Sequence, residues 1–168
     1  MEVRILTEHD ADEFVRLRLE ALTHEPLAFG RSPEKALPWP PDSVASRLPA
    51  VPQGHFAVGA FDGTRMAGQA GFVRHEGRKE RHKGFIWGVY VSPAWRGRGV
   101  ATAMLTTIVE RARSYPDLEQ ISLSVAVPQE PARRLYRALG FEVYGRERNA
   151  LKVGATYVDE EHMVLWLR

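Results

Sequence analysis

Phe85-Ile86-Trp87-Gly88-Val89-Tyr90-Val91-Ser92-Pro93 runs directly into Ala94-Trp95-Arg96-Gly97-Arg98-Gly99-Val100-Ala101, and the reading of this passage decides the fold. An apolar run closed by a Ser-Pro breaker reads as a central strand rather than a half-solvated one. The two glycines around Arg98 let the backbone come close to a ligand with no Cβ in the way. The helix behind them presents unpaired N–H groups and a positive dipole end, so an anion belongs there. Two phosphate signatures fail by residue. A nucleotide loop would end in Gly-Lys-Ser/Thr, where this chain has Gly99-Val100-Ala101, and a dinucleotide fingerprint would place a third glycine where Thr102 stands. The bland alternative is a glycine turn in a basic surface loop.

Composition frames that site. With 168 residues, 44% hydrophobic and 26% charged, the chain suits one globular domain spanning 1–168. The N-terminus, Met1-Glu2-Val3-Arg4-Ile5-Leu6-Thr7-Glu8, carries charges where a signal peptide needs an apolar core. No run approaches the roughly 18 apolar residues of a membrane span, which predicts a cytoplasmic protein with no membrane partner. The absence of cysteine excludes disulfides, zinc–thiolate sites and an acyl-enzyme on sulfur. A net charge of +2 does not imply nucleic acid.

Glu2 to Leu6 reads as a first strand, Thr7 and Asp10 as an N-terminal cap, and Asp10 to Thr23 as a helix with a wide apolar stripe. Prolines then crowd the chain from Pro26 to Pro52, leaving room only for a short helix near Asp42 to Leu48 and making the segment a candidate lid. Period-two patterning over His55 to Phe61 and Arg65 to Arg74, joined at Asp62-Gly63, predicts a hairpin. A second polar connection, His75 to His82, leads into the strand that ends at Val91. Helical spacing returns from Val100 to Ala112 and stops before Pro116. Ile121, Leu123, Val125 and Val127 alternate with small residues as a strand, completing a βαβ unit. A short helix carries Ala132, Leu135, Tyr136 and Leu139 on one stripe and ends at Gly140. Phe141 to Arg148 and Thr156 to Leu167 read as the last two strands.

At these residues the chain closely resembles the GNAT superfamily of acetyl-CoA-dependent N-acetyltransferases. The first motif, Arg/Gln, any, any, Gly, any, Gly/Ala, falls on Arg96, Gly99 and Ala101. The second falls on the helix from Ala132 through Tyr136 to Gly140-Phe141, some thirty residues further on. Glu25-Pro26-Leu27-Ala28-Phe29 looks like an element of many small bacterial members. The second motif often opens on Asn, and here that position is Gln129. The resemblance implies an α/β (α+β) fold: a mixed, mostly antiparallel central sheet, split beside the cofactor, with helices on both faces.

It further implies that acetyl-CoA, as co-substrate, is held by the backbone of Val89, Tyr90 and Val91 and by Arg96, Gly97, Arg98, Gly99, Val100, Ala101, Thr102 and Gln129. The amide groups there suit a pyrophosphate, and the pantetheine arm would pair with the strand as an added strand does. Gly88 marks a close approach or a bulge. Tyr136, by resemblance, is the catalytic acid or hydrogen-bond donor near the sulfur; by itself it also reads as a core aromatic. A backbone N–H near Val91 would meet the oxyanion.

The base is open. Many relatives place a Glu in or near the central strand, and Phe85 to Val91 contains no carboxylate. Glu34, Asp159, Glu160, Glu161, His82 and His162 are the candidates, with Phe29, Glu34 and Asp159 assigned to acceptor binding and Trp39 and Tyr157 as further aromatic candidates. No metal site is expected. The expected partners are acetyl-CoA and a small-molecule or peptide amine, and homodimers are common among similar proteins. Two other functions fit parts of the sequence. A protein of this fold without catalysis would sense acyl-CoA or bind a partner. The basic run Arg74 to Lys83 could serve nucleic acid, but Glu76 and Glu80 interleave it with no aromatic platform, so a solvated hairpin tip is expected.

Overall fold

The computed structural model describes residues 1–30 and 41–168. In chain order these form β1 (Glu2–Ile5), α1 (Ala11–His24), α2 (Pro41–Ala45), β2 (Phe56–Asp62), β3 (Arg65–Arg74) and β4 (Lys83–Val91). Then follow α3 (Val100–Arg113), β5 (Gln120–Ala126), α4 (Glu130–Ala138), β6 (Glu142–Val153) and β7 (Thr156–Trp166). The strands make one seven-stranded sheet in the order β1-β2-β3-β4-β5-β7-β6. Every neighbouring pair is antiparallel except β4 and β5, which are joined through α3 as the expected βαβ unit.

The alternation in each strand sorts the core into two layers. Ile86, Ile121, Leu123 and Met163 face Met104, Leu105 and Ile108 of α3, with Tyr136 of α4 in the same cluster. Ala57, Phe61, Met66 and Tyr90 face the other way, against Phe14, Leu17 and Ala21 of α1 and Val44 of α2. Each large apolar side chain so buried contributes about 1.5–3 kcal/mol over an exposed one.

Several boundaries differ from the sequence reading. α1 starts at Ala11 because Asp10 is spent on the turn before it: its Oδ2 accepts from the Thr7 N–H at 2.8 Å and from Arg4 Nη1 at 2.8 Å. Helix α2 is shorter than the expected Asp42 to Leu48. The first hairpin turns on Gly63 and Thr64, with φ +59° at Gly63, since Asp62 still pairs with Arg65. The strand expected to end at Arg148 continues to Val153. A register shift between Glu147 and Leu151 absorbs Arg148 to Ala150, with Asn149 at φ +52°, and the polar run there hides an edge strand that is exposed over most of its length. Arg74, read as part of the basic hairpin tip, is buried: its Nε donates to Arg81 O at 2.6 Å and its guanidinium lies over the Tyr115 ring.

Candidate active site

β4 and β5 hold together only at their first residues, Lys83–Phe85 against Gln120–Ser122. Beyond these pairs their ladder stops, and a cavity of about 720 Å³ lies between the strands and reaches the start of α3. Gly88 shapes this wall. It sits at φ +66°, and between the pairs Gly71–Trp87 and Gln69–Tyr90 both Gly88 and Val89 stand opposite Ala70, so β4 bulges here. A Cβ at Gly88 would come within 3.1 Å of Arg18 Nη1, which is tight contact. At the far end of β4, Ser92 N–H donates to Ala67 O on the β3 side at 2.9 Å. Strand alternation therefore turns the Val91 carbonyl and N–H toward the split. Arg96 Nε donates to that carbonyl at 2.9 Å.

The anion end follows. Gly97 and Gly99 take φ of +72° and +76°, conformations that disfavour side chains, and a Cβ at either would meet nothing within 4 Å. The first amide after them to find a backbone acceptor is Ala103, which donates to Gly99 O at 3.0 Å. Among the described residues no hydrogen bond occupies the amides from Gly97 to Thr102, so they remain as donors at the N-terminus of α3. Val89, Tyr90, Val91, Arg96, Gly97, Gly99, Val100, Ala101, Thr102 and Gln129 all line the cavity. Arg98 is exposed and lies outside its wall.

Residues 19–141 match the acetyltransferase (GNAT) family. The chain belongs to the GNAT family. It is 33% identical over 116 residues to the N-alpha-acetyltransferase RimI of Mycobacterium tuberculosis, covering 69% of each chain. Over 77 residues it is 31% identical to the L-amino acid N-acetyltransferase AaaT of Escherichia coli, covering 46% of this chain and 48% of that one. Its fold matches a GNAT acetyltransferase from Streptococcus pneumoniae with a TM-score of 0.87, 18% identity and 98% of both chains covered. It also matches the putative acetyltransferase yncA of Salmonella typhimurium, solved with acetyl-CoA, at a TM-score of 0.81 and 19% identity over 100% of this chain and 94% of that one.

Acetyl-CoA is the co-substrate of the GNAT family. The open amides at the start of α3, the Cβ-free approach at Gly97 and Gly99 and the split between β4 and β5 fit its pyrophosphate and its amide-bearing arm.

Tyr136 also lines the cavity. Its ring packs edge to face on Phe141 at 6.0 Å, and burial raises its phenol above the ordinary range. Among the described residues its hydroxyl has no hydrogen-bond partner, so the O–H is available to a ligand. Tyr90 is differently employed. Its hydroxyl donates to Glu20 Oε1 at 3.2 Å, and burial together with that carboxylate pushes its phenol up to about 12.

The other candidates separate clearly. Glu160 lines the cavity, and burial, helped by the charge of Glu147, raises its carboxyl above the ordinary range. Asp159 lies outside the cavity wall, where it accepts from Asn149 N–H at 2.9 Å and from Arg146 Nη2 at 2.8 Å; these contacts lower its carboxyl. Glu161 points to the opposite face of β7 and is paired with Arg133 at 2.6 Å. Phe29 lines the cavity with its ring 6.4 Å from Tyr90. Tyr157 is exposed on β7 outside the wall, and His82 precedes β4 at the closed end of the split, its carbonyl accepting from Glu119 N–H at 2.8 Å. Glu34 and Trp39 lie outside the described residues.

Sequence reading missed Arg18, Glu25, Trp87 and Ser124 as cavity residues. For Ser124 a signal existed: it is a polar alternate in β5, and the split leaves that position facing the cavity instead of a helix.

Proposed function

We propose that the protein transfers the acetyl group of acetyl-CoA to a primary amine by direct attack within a ternary complex, the whole chain acting as one N-acetyltransferase domain. The observation that carries this reading is the continuity of the cavity. The same space that begins at the open amides of α3 runs past Tyr136 to Glu160, so donor and acceptor groups share one chamber. The amine nitrogen attacks the thioester carbon, the C–N bond forms, and the C–S bond breaks. Val91 N–H is the donor proposed for the oxyanion, and the Tyr136 hydroxyl supplies the proton to the departing thiolate. The chain has no cysteine, which supports direct attack over a thioester intermediate on the protein.

Glu160 supports a cationic acceptor. A carboxylate in a cavity wall attracts an ammonium group and sets it near the reacting carbon, while Phe29 and Trp87 supply apolar contact for the rest of the molecule. One relative is named for N-alpha-acetylation and another for acetylation of L-amino acids, so peptide N-termini and amino acids are the first acceptors to try. The test is release of CoA thiol from acetyl-CoA with a panel of such amines. Turnover on one class supports the reading; tight acetyl-CoA binding with no thiol release on any amine favours an acyl-CoA sensor.

A further inference from the structure

Ser124 and His162 stand opposite each other in the ladder between β5 and β7. Ser124 lines the cavity, and its Oγ is 2.8 Å from His162 Nδ1. On the other edge of the ring, His162 Nε2 is 3.4 Å from a carboxylate oxygen of Glu147 on β6. With its proton on Nε2, on the side of that carboxylate, the neutral ring offers the Nδ1 lone pair to the Ser124 hydroxyl. The side chains become more exposed along this row, 28% at His162 and 57% at Glu147, so the row leads from the cavity wall to solvent.

The surroundings hold the imidazole in place. The Tyr144 ring lies 6.1 Å away at 31° to it, and a Cβ at Gly145 would already be 3.8 Å from His162 Cδ2. Among the described residues, the titratable groups facing the ring are Glu147 and Tyr144 on β6 and Glu160 two positions away on β7. β5 contributes the Ser124 hydroxyl.

We infer that Ser124 and His162 are the route by which the acceptor ammonium loses its proton, with Glu147 orienting the ring and steadying the imidazolium. The inference rests on the acetyl-transfer reading above. An alkyl ammonium ordinarily titrates near 10, and an imidazole ordinarily titrates nearer neutrality than a carboxylate, so it is the better base at working pH. Glu160 attracts and places the ammonium. The nitrogen gives one proton to Ser124 Oγ as the Ser124 proton passes to His162 Nδ1, and the imidazolium discharges to solvent. The neutral amine then attacks the thioester. The second proton, lost by nitrogen after the C–N bond forms, replaces the one that the CoA thiolate takes from Tyr136, so the phenol is restored and one proton in all leaves to solvent. Ser124 touches the substrate; His162 and Glu147 act through it as positioning and proton-accepting residues.

The experiment compares the native chain with Ser124→Ala, Ser124→Thr, His162→Gln and Glu147→Gln, measuring CoA thiol release against pH with the best amine of the panel, together with acetyl-CoA affinity. His162→Gln is expected to lower kcat at pH 7 by about 10²-fold or more, with affinity for acetyl-CoA unchanged and the rate recovering as pH rises. Ser124→Ala follows it, and Ser124→Thr, which keeps a hydroxyl, restores much of the loss. Glu147→Gln shifts the base limb of the profile with a smaller loss of rate. Ring-nitrogen NMR of the native protein is expected to show the Nε2–H tautomer at His162. An active native protein whose Ser124→Ala and His162→Gln variants keep its pH profile, or an Nδ1–H tautomer, overturns this assignment alone. A native protein that binds acetyl-CoA and acetylates no amine overturns the acetyl-transfer reading and this assignment with it.

Discussion

Arg96 and Glu25 form an ion pair at 3.0 Å across 71 positions of sequence, tying the turn after β4 to the end of α1. Glu25 also accepts from Gln129 Nε2 at 3.4 Å, while Arg96 holds the Val91 carbonyl through Nε and lies over the Tyr90 ring. One guanidinium thus shapes the end of β4 where the donor arm is proposed to lie. Arg96→Ala is expected to weaken acetyl-CoA binding severalfold by calorimetry. The pair is partly exposed, so stability should change by no more than about 1 kcal/mol. Unchanged affinity would remove Arg96 from the donor site.

Gly99→Asp places a carboxylate among the open amides of α3 and a side chain at φ +76°. Strain from the left-handed backbone costs about 1–2 kcal/mol, which a domain of this size tolerates. Acetyl-CoA affinity should fall more than tenfold while circular dichroism stays native, because the new charge both repels the pyrophosphate and occupies its donors. A folded variant that binds acetyl-CoA normally sinks the phosphate assignment.

Tyr136→Phe removes the hydroxyl and keeps the ring that packs on Phe141. The expected result is a fall in kcat of about 10²-fold with acetyl-CoA affinity retained, since the hydroxyl is needed as the thiolate departs. Steady-state kinetics alongside calorimetry separate the two quantities. An unaltered rate would leave Tyr136 as a packing residue only.

Glu161 gives stability a pH dependence of known sign. Its bonds to Arg133, first among the causes, outweigh burial and hold its carboxyl below the ordinary range. An unfolded Glu titrates near 4.3, so this stabilisation is complete above that value and disappears as pH falls through the lower folded pKa. Glu161→Gln should therefore lose about 1–2 kcal/mol at pH 7. That is less than for an isolated buried pair, because Arg133 keeps Glu130 as a partner. Urea unfolding at several pH values should show the gap to the native chain closing below pH about 4. A constant gap down to pH about 3 would rule the linkage out.

Gly71 leaves the space that the Trp87 indole fills: an added Cβ would overlap that ring. Gly71→Ala should cost about 1–3 kcal/mol by overpacking and shift the indole into the cavity it lines. Denaturant unfolding with an unchanged midpoint would show that the ring moves aside freely.

The residues of β4, the glycine turn and α3 were legible along the chain because each signal is local: an apolar run, a breaker, glycines and a 3.6-residue period. The same holds for Tyr136 on its short amphipathic helix and for the βαβ crossover, which together led to the family. Boundaries failed where the local signal was weak. β6 is an exposed edge strand, so nothing in its polarity separates Arg146 to Asn149 from a loop.

The acceptor side depends on contacts distant in sequence. Asp159, Glu160 and Glu161 are indistinguishable as a run of carboxylates, yet strand pleating sends Glu161 to Arg133 and leaves Glu160 at the cavity. Ser124 and His162, 38 positions apart, meet only through the register of β5 against β7. Local chemistry in the chain pointed to the glycine turn and the start of α3 as the place proposed here for the acetyl donor. Which groups border the cavity on the side proposed for the amine waited on the sheet, because strand pairing and the split between β4 and β5 choose which side of each strand borders it.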